Sequence, residues 1–367
     1  MTNKKWKLMQ EQINKLDFRG QNIYVGIDVH KASWTVTIEL KHITHKTFSQ
    51  DPCAHTLGEY LRGNFPGGNY LSAYEAGFCG FSTHRLLEKE GISNIVVNPS
   101  DIPTTNKEKR QKEDKRDSRK IARSLKDGSL IGVHIPMEET EELRSLLKSR
   151  ADLVKEISRY KNRIKSLLFQ YGINIPENFI YGSMHFSNAY INWLKGIRFR
   201  TSIGDIALGS FVSTTVLLRQ ELLKLDREIR AVYRSPKYKT LVDLLISIPG
   251  IGGYTAIVFI AFIEDMTRFC TLDELCSYVG LIPSTNSSSD KEKVGKITMR
   301  SNKVLRGLII ESAWIAARRD PALMMAYQTM CGRMKPSKAI IRIAKKLLSR
   351  MRHVWINNEK YEYAVVA

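Results

Sequence analysis

The stretch Ile23-Tyr-Val-Gly-Ile-Asp-Val-His30 is short, apolar and rich in β-branched residues, a pattern typical of a buried strand. Asp28 lies inside it. Burying a carboxylate among apolar side chains is costly unless that carboxylate is paired or binds a cation. The stretch therefore predicts a sheet, and it predicts a site for a positively charged group at Asp28.

The chain around this strand alternates between strand-like and helix-like patterns up to about residue 135. Trp34-Thr-Val-Thr-Ile38 alternates with a period of two, as a half-buried strand does. The other predicted elements are strands at 71–75 and 95–97, an amphipathic helix at 82–90 that ends at Gly91, and a charged helix at about 113–125. Together they predict an α/β domain of ordinary size.

Three more carboxylates are placed where a metal site would need them. Glu75 ends the second apolar strand, and Asp114 and Asp117 are three residues apart, so on a helix they share one face. Oxygen ligands that converge from separate elements suit Mg²⁺, a hard cation. Taken alone, Asp114 and Asp117 could equally be surface acids that balance the basic residues beside them. That reading is much weaker for Asp28, which lies inside an apolar strand.

The charge of the chain favours a polyanionic partner. Lys and Arg number 57 against 37 Asp and Glu, which gives a net charge of +20 over 367 residues. Between Lys291 and Arg352 there are 16 Lys or Arg and only three Asp or Glu. DNA or RNA is the simplest partner for such an excess. A merely soluble basic surface is the alternative.

The middle of the chain, from residue 138 to about 232, carries two long helical patterns. Apolar residues recur at three- and four-residue steps from Leu143 to Leu168 and again from Phe211 to Ile229. These patterns predict an antiparallel helical hairpin of coiled-coil type. The stripes could serve a spacer or dimerisation arm, or they could simply pack within one chain.

The last third of the chain contains candidate contacts to nucleic acid. Ile248-Pro-Gly-Ile-Gly-Gly-Tyr-Thr255 has the form of a helix-hairpin-helix turn, in which Gly250 and Gly252 would let the backbone approach a phosphate. Thr271-Leu-Asp-Glu274 is a capping box that opens a short helix ending at Gly280. A polar loop with three consecutive serines and several basic helices follow. The candidate phosphate contacts after that loop are Lys291, Lys293, Lys296, Arg300, Lys303 and Arg306.

The sequence disfavours two classes of protein: those held together by disulfides or zinc, and those that span a membrane. The five cysteines form no Cys-x-x-Cys pair and no zinc-like spacing, which indicates reduced, mostly buried thiols. Residues 244–263 carry no charge and are long enough to span a membrane, but Pro249 and three glycines interrupt them. Two buried helices joined by a tight turn are expected there, with no membrane span.

In their order and spacing these motifs resemble the DEDD-type insertion-sequence transposases, the recombinases guided by a structured bridge RNA. Ile27-Asp-Val-His-Lys31 resembles the first strand motif of that family, Ala73-Tyr-Glu-Ala-Gly77 its glutamate motif, and Lys112-Glu-Asp-Lys-Arg-Asp117 its paired-aspartate motif. In the last third, Ile248–Gly252, Tyr278–Pro283 and Gly295–Ala313 also match. The resemblance covers nearly the whole chain.

The resemblance implies a fold in three parts. These are an N-terminal RuvC-like (RNase H-like) metal-binding domain at 20–137, a helical hairpin at 138–235 that serves in oligomerisation, and a C-terminal transposase domain at 236–355 with the helix-hairpin-helix and a serine loop. It also implies that Asp28, Glu75, Asp114 and Asp117 bind Mg²⁺ and that a serine attacks DNA. Aligning on Pro283 and Lys291 puts this nucleophile at Ser288, with Ser287 and Ser289 as alternatives.

The resemblance further implies the partners and the setting of the reaction. DNA at the element ends and target, a bridge RNA and a homodimer or homotetramer are expected, in the bacterial cytoplasm at the nucleoid. Two departures stand out. The family glycine after the serine is replaced here by Ser289, and the family Lys-Arg-Gly-Asn stretch is Met299-Arg-Ser-Asn302. Two other functions therefore stay open: a RuvC-like, metal-dependent, structure-specific nuclease, and a catalytically inactive relative that binds DNA or RNA.

Overall fold

The computed structural model describes residues 17–103, 114–180, 186–288, 291–298 and 301–363, without the side chains of 114–115, 180, 284–288 and 291–296. The chain divides into two compact units, one up to Ile135 and one from Pro136. The predicted boundary near residue 137 falls close to this division. The further boundary predicted at 235/236 stays a prediction.

The first unit is built on one mixed sheet of five strands in the order β3-β2-β1-β4-β5. β2 is antiparallel to β1 and to β3, whereas β4 is parallel to β1 and to β5. The strands are β1 (Asn22–Val29), β2 (Trp34–Glu39), β3 (Thr44–Gln50), β4 (Asn69–Glu75) and β5 (Ser93–Val97). This mixed α/β sheet is consistent with the RNase H-like fold that the resemblance implies.

Helices cover both faces of this sheet. They are α1 (Ala54–Asn64), α2 (Ser82–Lys89) and α3 (Asp114–Lys126). Leu57 of α1 and Leu87 of α2 share a core with Ile23, Val25 and Ile27 of β1. α3 lies on the opposite face, where Ile121 packs with Ala73 and Val97. The sequence predicted β1, β2, β4, β5, α2 and α3, but it predicted neither β3 nor α1.

In the second unit, two helices of 33 residues each form an arm: α4 (Glu138–Gln170) and α7 (Ser202–Arg234). They run antiparallel, because Ile229 shares a core with Leu143 near the start of α4, whereas Leu208 shares one with Leu168 near its end. Between them the chain forms two short helices that the sequence did not predict, α5 (Glu177–Ile180) and α6 (Asn188–Gly196). The first predicted stripe is thus core packing within one chain along much of its length.

The rest of the second unit is helical apart from one hairpin. Its elements are α8 (Pro236–Ile246), α9 (Gly253–Ile263), α10 (Leu272–Val279), β6 (Pro283–Ser288), β7 (Lys291–Ile297), α11 (Lys303–Arg319), α12 (Pro321–Cys331) and α13 (Pro336–Asn357). Half of the predicted capping box is present, since the Thr271 side chain accepts a hydrogen bond from the Glu274 N–H, while the Glu274 carboxylate accepts from the Cys270 N–H one residue before the N-cap. α10 ends at left-handed Gly280.

Three expectations from the sequence need comment. The serine-rich segment is a β-hairpin and not a loop, because residues 283–288 pair with 291–297. The five cysteines are free, but only Cys276 is buried, so the expectation of mostly buried thiols is wrong. Within the described ranges, α7 alone is long and apolar enough to cross a membrane by length and composition. The interrupted stretch 244–263 forms α8, a turn and α9, as expected.

Candidate active site

Asp28 and Glu75 lie near the carboxyl ends of two neighbouring parallel strands. β1 and β4 are paired through Ile27 and Tyr74, and each carboxylate is the next residue along its strand. Adjacent strands are about 4.8 Å apart, and the carboxyl ends of parallel strands form a common edge where open α/β sheets bind ligands. The fold therefore brings these two predicted ligands side by side.

Both carboxylates are on the face of the sheet that carries α3. Successive strand residues point to opposite faces. Ile27 and Tyr74 belong to the core on the side of α1 and α2, so Asp28 and Glu75 belong to the other side. The position two residues before Glu75 confirms this, because Ala73 packs against Ile121 of α3.

Gly26 determines how closely α3 approaches the sheet. A Cβ on Gly26 would lie 2.1 Å from the Ser118 carbonyl oxygen and 2.4 Å from the Ala122 backbone nitrogen. No side chain fits in that space, so the helix backbone rests directly on the strand backbone. A glycine inside a strand often marks such close approach, and this signal in the sequence could have identified the contact.

Two polar contacts fix the direction of α3. The hydroxyl oxygens of Thr37 and Ser118 are 2.9 Å apart, and the Lys126 ammonium donates to Glu39 at 3.0 Å. Thr37 lies opposite Gly26 and Glu39 lies opposite Tyr24 in the β1–β2 register. From Ser118 to Lys126 the helix therefore runs away from Asp28. Its first residues, with Asp114 and Asp117, lie toward the end of β1 that carries Asp28.

Standard helix and strand dimensions show how far Asp114 and Asp28 each lie from the contact between Ser118 and Gly26. From Ser118 back to Asp114 is four residues, or about 6 Å along a helix. From Gly26 to Asp28 is two residues, or about 7 Å along a strand. Asp114, whose side chain lies outside the described residues, thus begins α3 near the level of Asp28. The positive end of the α3 dipole is at the same end, which favours negative charge there.

Asp28 is mostly buried, with 21% of its side chain exposed, and its Oδ2 lies 3.2 Å from Nε2 of the more exposed His30. Glu75 and Asp117 are half-buried. Among the residues that the structure describes, no three His, Cys, Asp or Glu side chains group closely enough to hold a metal ion. The structure therefore brings Asp28 and Glu75 to one edge of the sheet and directs the start of α3 toward that edge. Among the described residues, these side chains do not form a group of three metal ligands.

Glu39 anchors the far end of α3 and is itself almost fully buried, at 2% exposed. Its carboxylate accepts hydrogen bonds from the Thr44 hydroxyl at 2.6 Å and from Lys126, and Arg123 lies 3.6 Å away. Burial alone would raise the pKa of Glu39. The hydrogen bonds and the two positive charges outweigh burial, so the pKa of Glu39 lies below its ordinary value. Sequence reasoning missed Glu39, Thr37 and Ser118, because nothing local distinguishes them.

The candidate nucleophile is carried at the end of the β6–β7 hairpin. Ser288 is the last residue of β6 and pairs with Lys291, across the connection that contains Ser289. Five strand steps separate Ser288 from Pro283, or about 17 Å. The side chains of Ser287, Ser288, Lys291, Lys293 and Lys296, and all of Ser289 and Arg300, lie outside the described residues.

The base of the hairpin is tied to the helices around it. The Thr298 N–H donates to the Ile282 carbonyl at 3.1 Å, and the Arg306 guanidinium donates to the Thr298 carbonyl at 2.7 Å. Asn302 caps α11 by accepting the Leu305 N–H. Arg306, whose contact to phosphate stays a prediction, holds the segment after β7 against α11. Lys303 is exposed at the first turn of α11.

The two glycines of the predicted phosphate-binding turn have different surroundings. Gly250 has a φ of +91°, and a Cβ there would lie 2.4 Å from the Ser312 carbonyl oxygen of α11. Gly252, the N-cap of α9, is exposed and has nothing within 4 Å of a built Cβ. Packing against α11 therefore explains why residue 250 is a glycine. At Gly252, by contrast, open space lies beside the start of α9, where a phosphate could approach.

A mixed sheet with carboxylates at adjacent strand ends is consistent with a domain of RNase H-like type. Comparison with known proteins agrees with this class. The DEDD transposase domain of IS110 type matches residues 25–173, and the transposase domain of the IS116/IS110/IS902 family matches residues 242–328.

Curated relatives are similar over most of the chain. The transposase for insertion sequence element IS1533 of Leptospira borgpetersenii is 25% identical over 353 residues, covering 89% of this chain and 96% of the relative. The transposase for insertion sequence element IS1111A of Coxiella burnetii is 28% identical, covering 64% of this chain and 63% of the relative. A transposase of Sinorhizobium fredii, y4qE, is 28% identical over 66% of this chain, which spans only 57% of that relative's length.

The chain belongs to the IS110/IS116 family of DEDD-type insertion-sequence transposases, enzymes that cleave and rejoin DNA.

Proposed function

We propose that this transposase cleaves and exchanges DNA strands through a covalent serine–DNA intermediate, with Mg²⁺ held by Asp28, Glu75, Asp114 and Asp117 and with the DNA sites selected by a bridge RNA. The observation that carries the proposal is the common sheet edge at which Asp28 and Glu75 follow paired strand residues while α3 directs its acidic start toward them.

The donor set fits the metal. Asp28 and Glu75 offer hard oxygen ligands at a partly buried edge, and a magnesium ion usually binds one or two carboxylates and keeps several waters. Asp114 and Asp117 would add two oxygen ligands from the first turn of α3. When bound, Mg²⁺ would polarise the scissile phosphate and neutralise charge that develops on it. The carboxylates would hold the ion at this edge, and the α3 dipole would offset part of their mutual repulsion.

Ser288 is the proposed nucleophile. Its hydroxyl oxygen attacks the scissile phosphorus, so that a serine–phosphate bond forms while the bond from phosphorus to the leaving sugar oxygen breaks. The serine proton leaves to solvent, and the leaving oxygen is protonated. The free hydroxyl of another strand then attacks the phosphoserine ester and releases Ser288. The exchange conserves the number of phosphate ester bonds, so it needs no external energy source.

A trapping experiment tests this proposal. Wild type and the single variants Ser287→Ala, Ser288→Ala and Ser289→Ala would be incubated with element-end DNA, its RNA and Mg²⁺, then separated under denaturing conditions. A protease-sensitive DNA adduct is expected from wild type, Ser287→Ala and Ser289→Ala but not from Ser288→Ala. DNA cut by all four proteins without an adduct would mean a hydrolytic nuclease. Binding with no cutting, indifferent to Mg²⁺, would mean an inactive relative.

We further propose that the arm mediates a homodimer or homotetramer. Ile203, Ile206 and Leu217 lie within one face of α7 by helical geometry, and they are 76%, 71% and 57% exposed. Apolar side chains of this size that share an exposed helix face favour contact with another protein surface.

A further inference from the structure

The cations of the C-terminal helix α13 divide into two sets. α13 contains no Asp or Glu, and its basic residues are Lys338, Arg342, Lys345, Lys346, Arg350 and Arg352. Lys345 binds Asp273 at 2.7 Å, Arg350 binds Asp320 at 2.7 Å, and Arg352 donates to the carbonyl of Phe269 at 3.2 Å. These three side chains hold α13 against the elements it packs on.

The other set faces solvent. Lys338, Arg342 and Lys346 are exposed, and none has a carboxylate partner within the described part of the chain. They recur every four residues, so they form one stripe along the helix. Lys335, the exposed N-cap residue, extends the stripe at its start. From Lys335 to Lys346 the stripe is about 16 Å long at the rise of an α-helix.

This stripe is unfavourable for the helix that carries it. Lys335 and Lys338 stand at the positive end of the helix dipole, and the first turn contains no acidic residue. Like charges four residues apart repel each other, which applies to the steps from Lys338 to Arg342 and from Arg342 to Lys346. The stripe therefore does not stabilise the fold. A polyanion would remove both penalties.

We propose that the stripe of Lys335, Lys338, Arg342 and Lys346, called here the α13 stripe, binds the phosphate backbone of duplex DNA. This proposal rests on the proposed function, which makes DNA the substrate. Cations that recur every three or four residues along one side of a helix suit the regular negative charge of a duplex. The α13 stripe contacts phosphates and carries no base recognition, so it serves any sequence.

The test measures how the binding of a 30-base-pair DNA duplex depends on salt, using fluorescence anisotropy and the full-length chain. The triple variant Lys338→Gln/Arg342→Gln/Lys346→Gln is expected to make the plot of log K against log salt concentration shallower by about 2.7, or about 0.9 per phosphate contact. Its melting temperature is expected to equal or exceed that of wild type, because repulsion along the stripe is relieved.

A matched control removes the same number of charges elsewhere. Lys155, Arg159 and Lys224 are exposed but paired with Asp152, Glu156 and Glu221 respectively. The variant Lys155→Gln/Arg159→Gln/Lys224→Gln is expected to keep most of the wild-type slope. The charge-preserving variant Lys338→Arg/Arg342→Lys/Lys346→Arg is expected to keep all of it.

Three outcomes would overturn the proposal that the α13 stripe binds DNA. These are an unchanged salt slope in the triple variant, an equal change of slope in the matched control, or a change of slope seen with a 30-base-pair RNA duplex but not with DNA. These failures are distinct from a failure of the proposed function. If wild type shows no salt-dependent binding of DNA at all, the proposed function fails. If wild type binds DNA in a salt-dependent way and one of the three overturning outcomes occurs, the inference alone fails.

Discussion

At the scale of single residues, the absence of a side chain at Gly26 is what allows α3 to lie on β1. We predict that Gly26→Ala lowers the free energy of unfolding by about 1–3 kcal/mol, the usual range for overpacking, because both nearest atoms belong to the α3 backbone. The DNA cleavage rate should fall by more than the loss of folded protein explains, since the displaced helix carries Asp114 and Asp117. Urea unfolding and a cleavage assay would measure the two effects.

Gly63 provides the control for this substitution. It lies within α1, and a Cβ there meets nothing within 4 Å. Gly63→Ala should raise stability by a few tenths to about 1 kcal/mol, because alanine loses less entropy in a helix. Equal stability of the two variants would contradict the account of Gly26.

Glu39 predicts a dependence of stability on pH. Its pKa is lower in the folded chain than its ordinary value of 4.5. The unfolded chain therefore takes up the proton first as the pH falls. The stabilisation is fully present above pH 4.5 and is lost as the pH falls through the folded-state pKa.

Glu39→Gln should therefore be less stable than wild type near neutral pH, and the difference should shrink below pH 4.5. Unfolding free energies measured across this range would check it. Asp127→Asn, at an exposed position just after α3, is the control and should follow the wild-type curve. A constant difference between Glu39→Gln and wild type at every pH would contradict the role given to the carboxylate charge.

At the scale of elements, the turn between α8 and α9 is held by its packing on α11. Gly250→Ala should destabilise the chain by about 1–3 kcal/mol or more, because its positive φ and the nearby Ser312 carbonyl both exclude a Cβ. Gly252→Ala should lower the melting temperature by less, because its Cβ would meet nothing within 4 Å and only a favourable N-cap residue is lost. If the start of α9 binds phosphate, Gly252→Ala should still weaken DNA binding. A loss of stability from Gly252→Ala equal to that from Gly250→Ala would contradict this distinction.

The elements also show what local sequence could predict. β1, β2, β4 and β5 were recognisable because buried strands are apolar, and the ends of α2 and α10 because glycines follow them. β3 was missed, since Thr44-His-Lys-Thr-Phe-Ser-Gln50 is an edge strand with a polar, exposed start. The β6–β7 hairpin was missed because its serines and lysines have low strand propensity, and only pairing with each other makes them strands.

The candidate site was predictable only in part. Asp28 and Glu75 stood out because each is acidic next to apolar strand residues. Their being side by side depends on β1 and β4 pairing in parallel, which no local pattern encodes. The packing of α3 on Gly26 and its ion pair with Glu39 join residues far apart along the chain. These contacts form only in the folded domain, so no local sequence pattern predicts them.

At the scale of the whole molecule, the arm predicts self-association. The double variant Ile206→Glu/Leu217→Glu places charge on the exposed face of α7 and should shift the chain toward monomer in sedimentation velocity. Arg230→Glu is an exposed charge change on the opposite face of the same helix and should not shift it. A double variant that keeps the wild-type sedimentation coefficient would contradict assembly through this face.

The central claim is that the sheet edge at Asp28 and Glu75 is where the transposase binds its catalytic metal. The most direct measurement is the yield of cleaved element-end DNA with Mg²⁺ from wild type, Asp28→Asn, Glu75→Gln and the exposed control Asp127→Asn, with unfolding curves to confirm that all four fold. Cleavage should fall by at least about a hundredfold for the first two variants and stay at the wild-type level for the control. Folded Asp28→Asn and Glu75→Gln proteins that cleave as wild type does would contradict the claim.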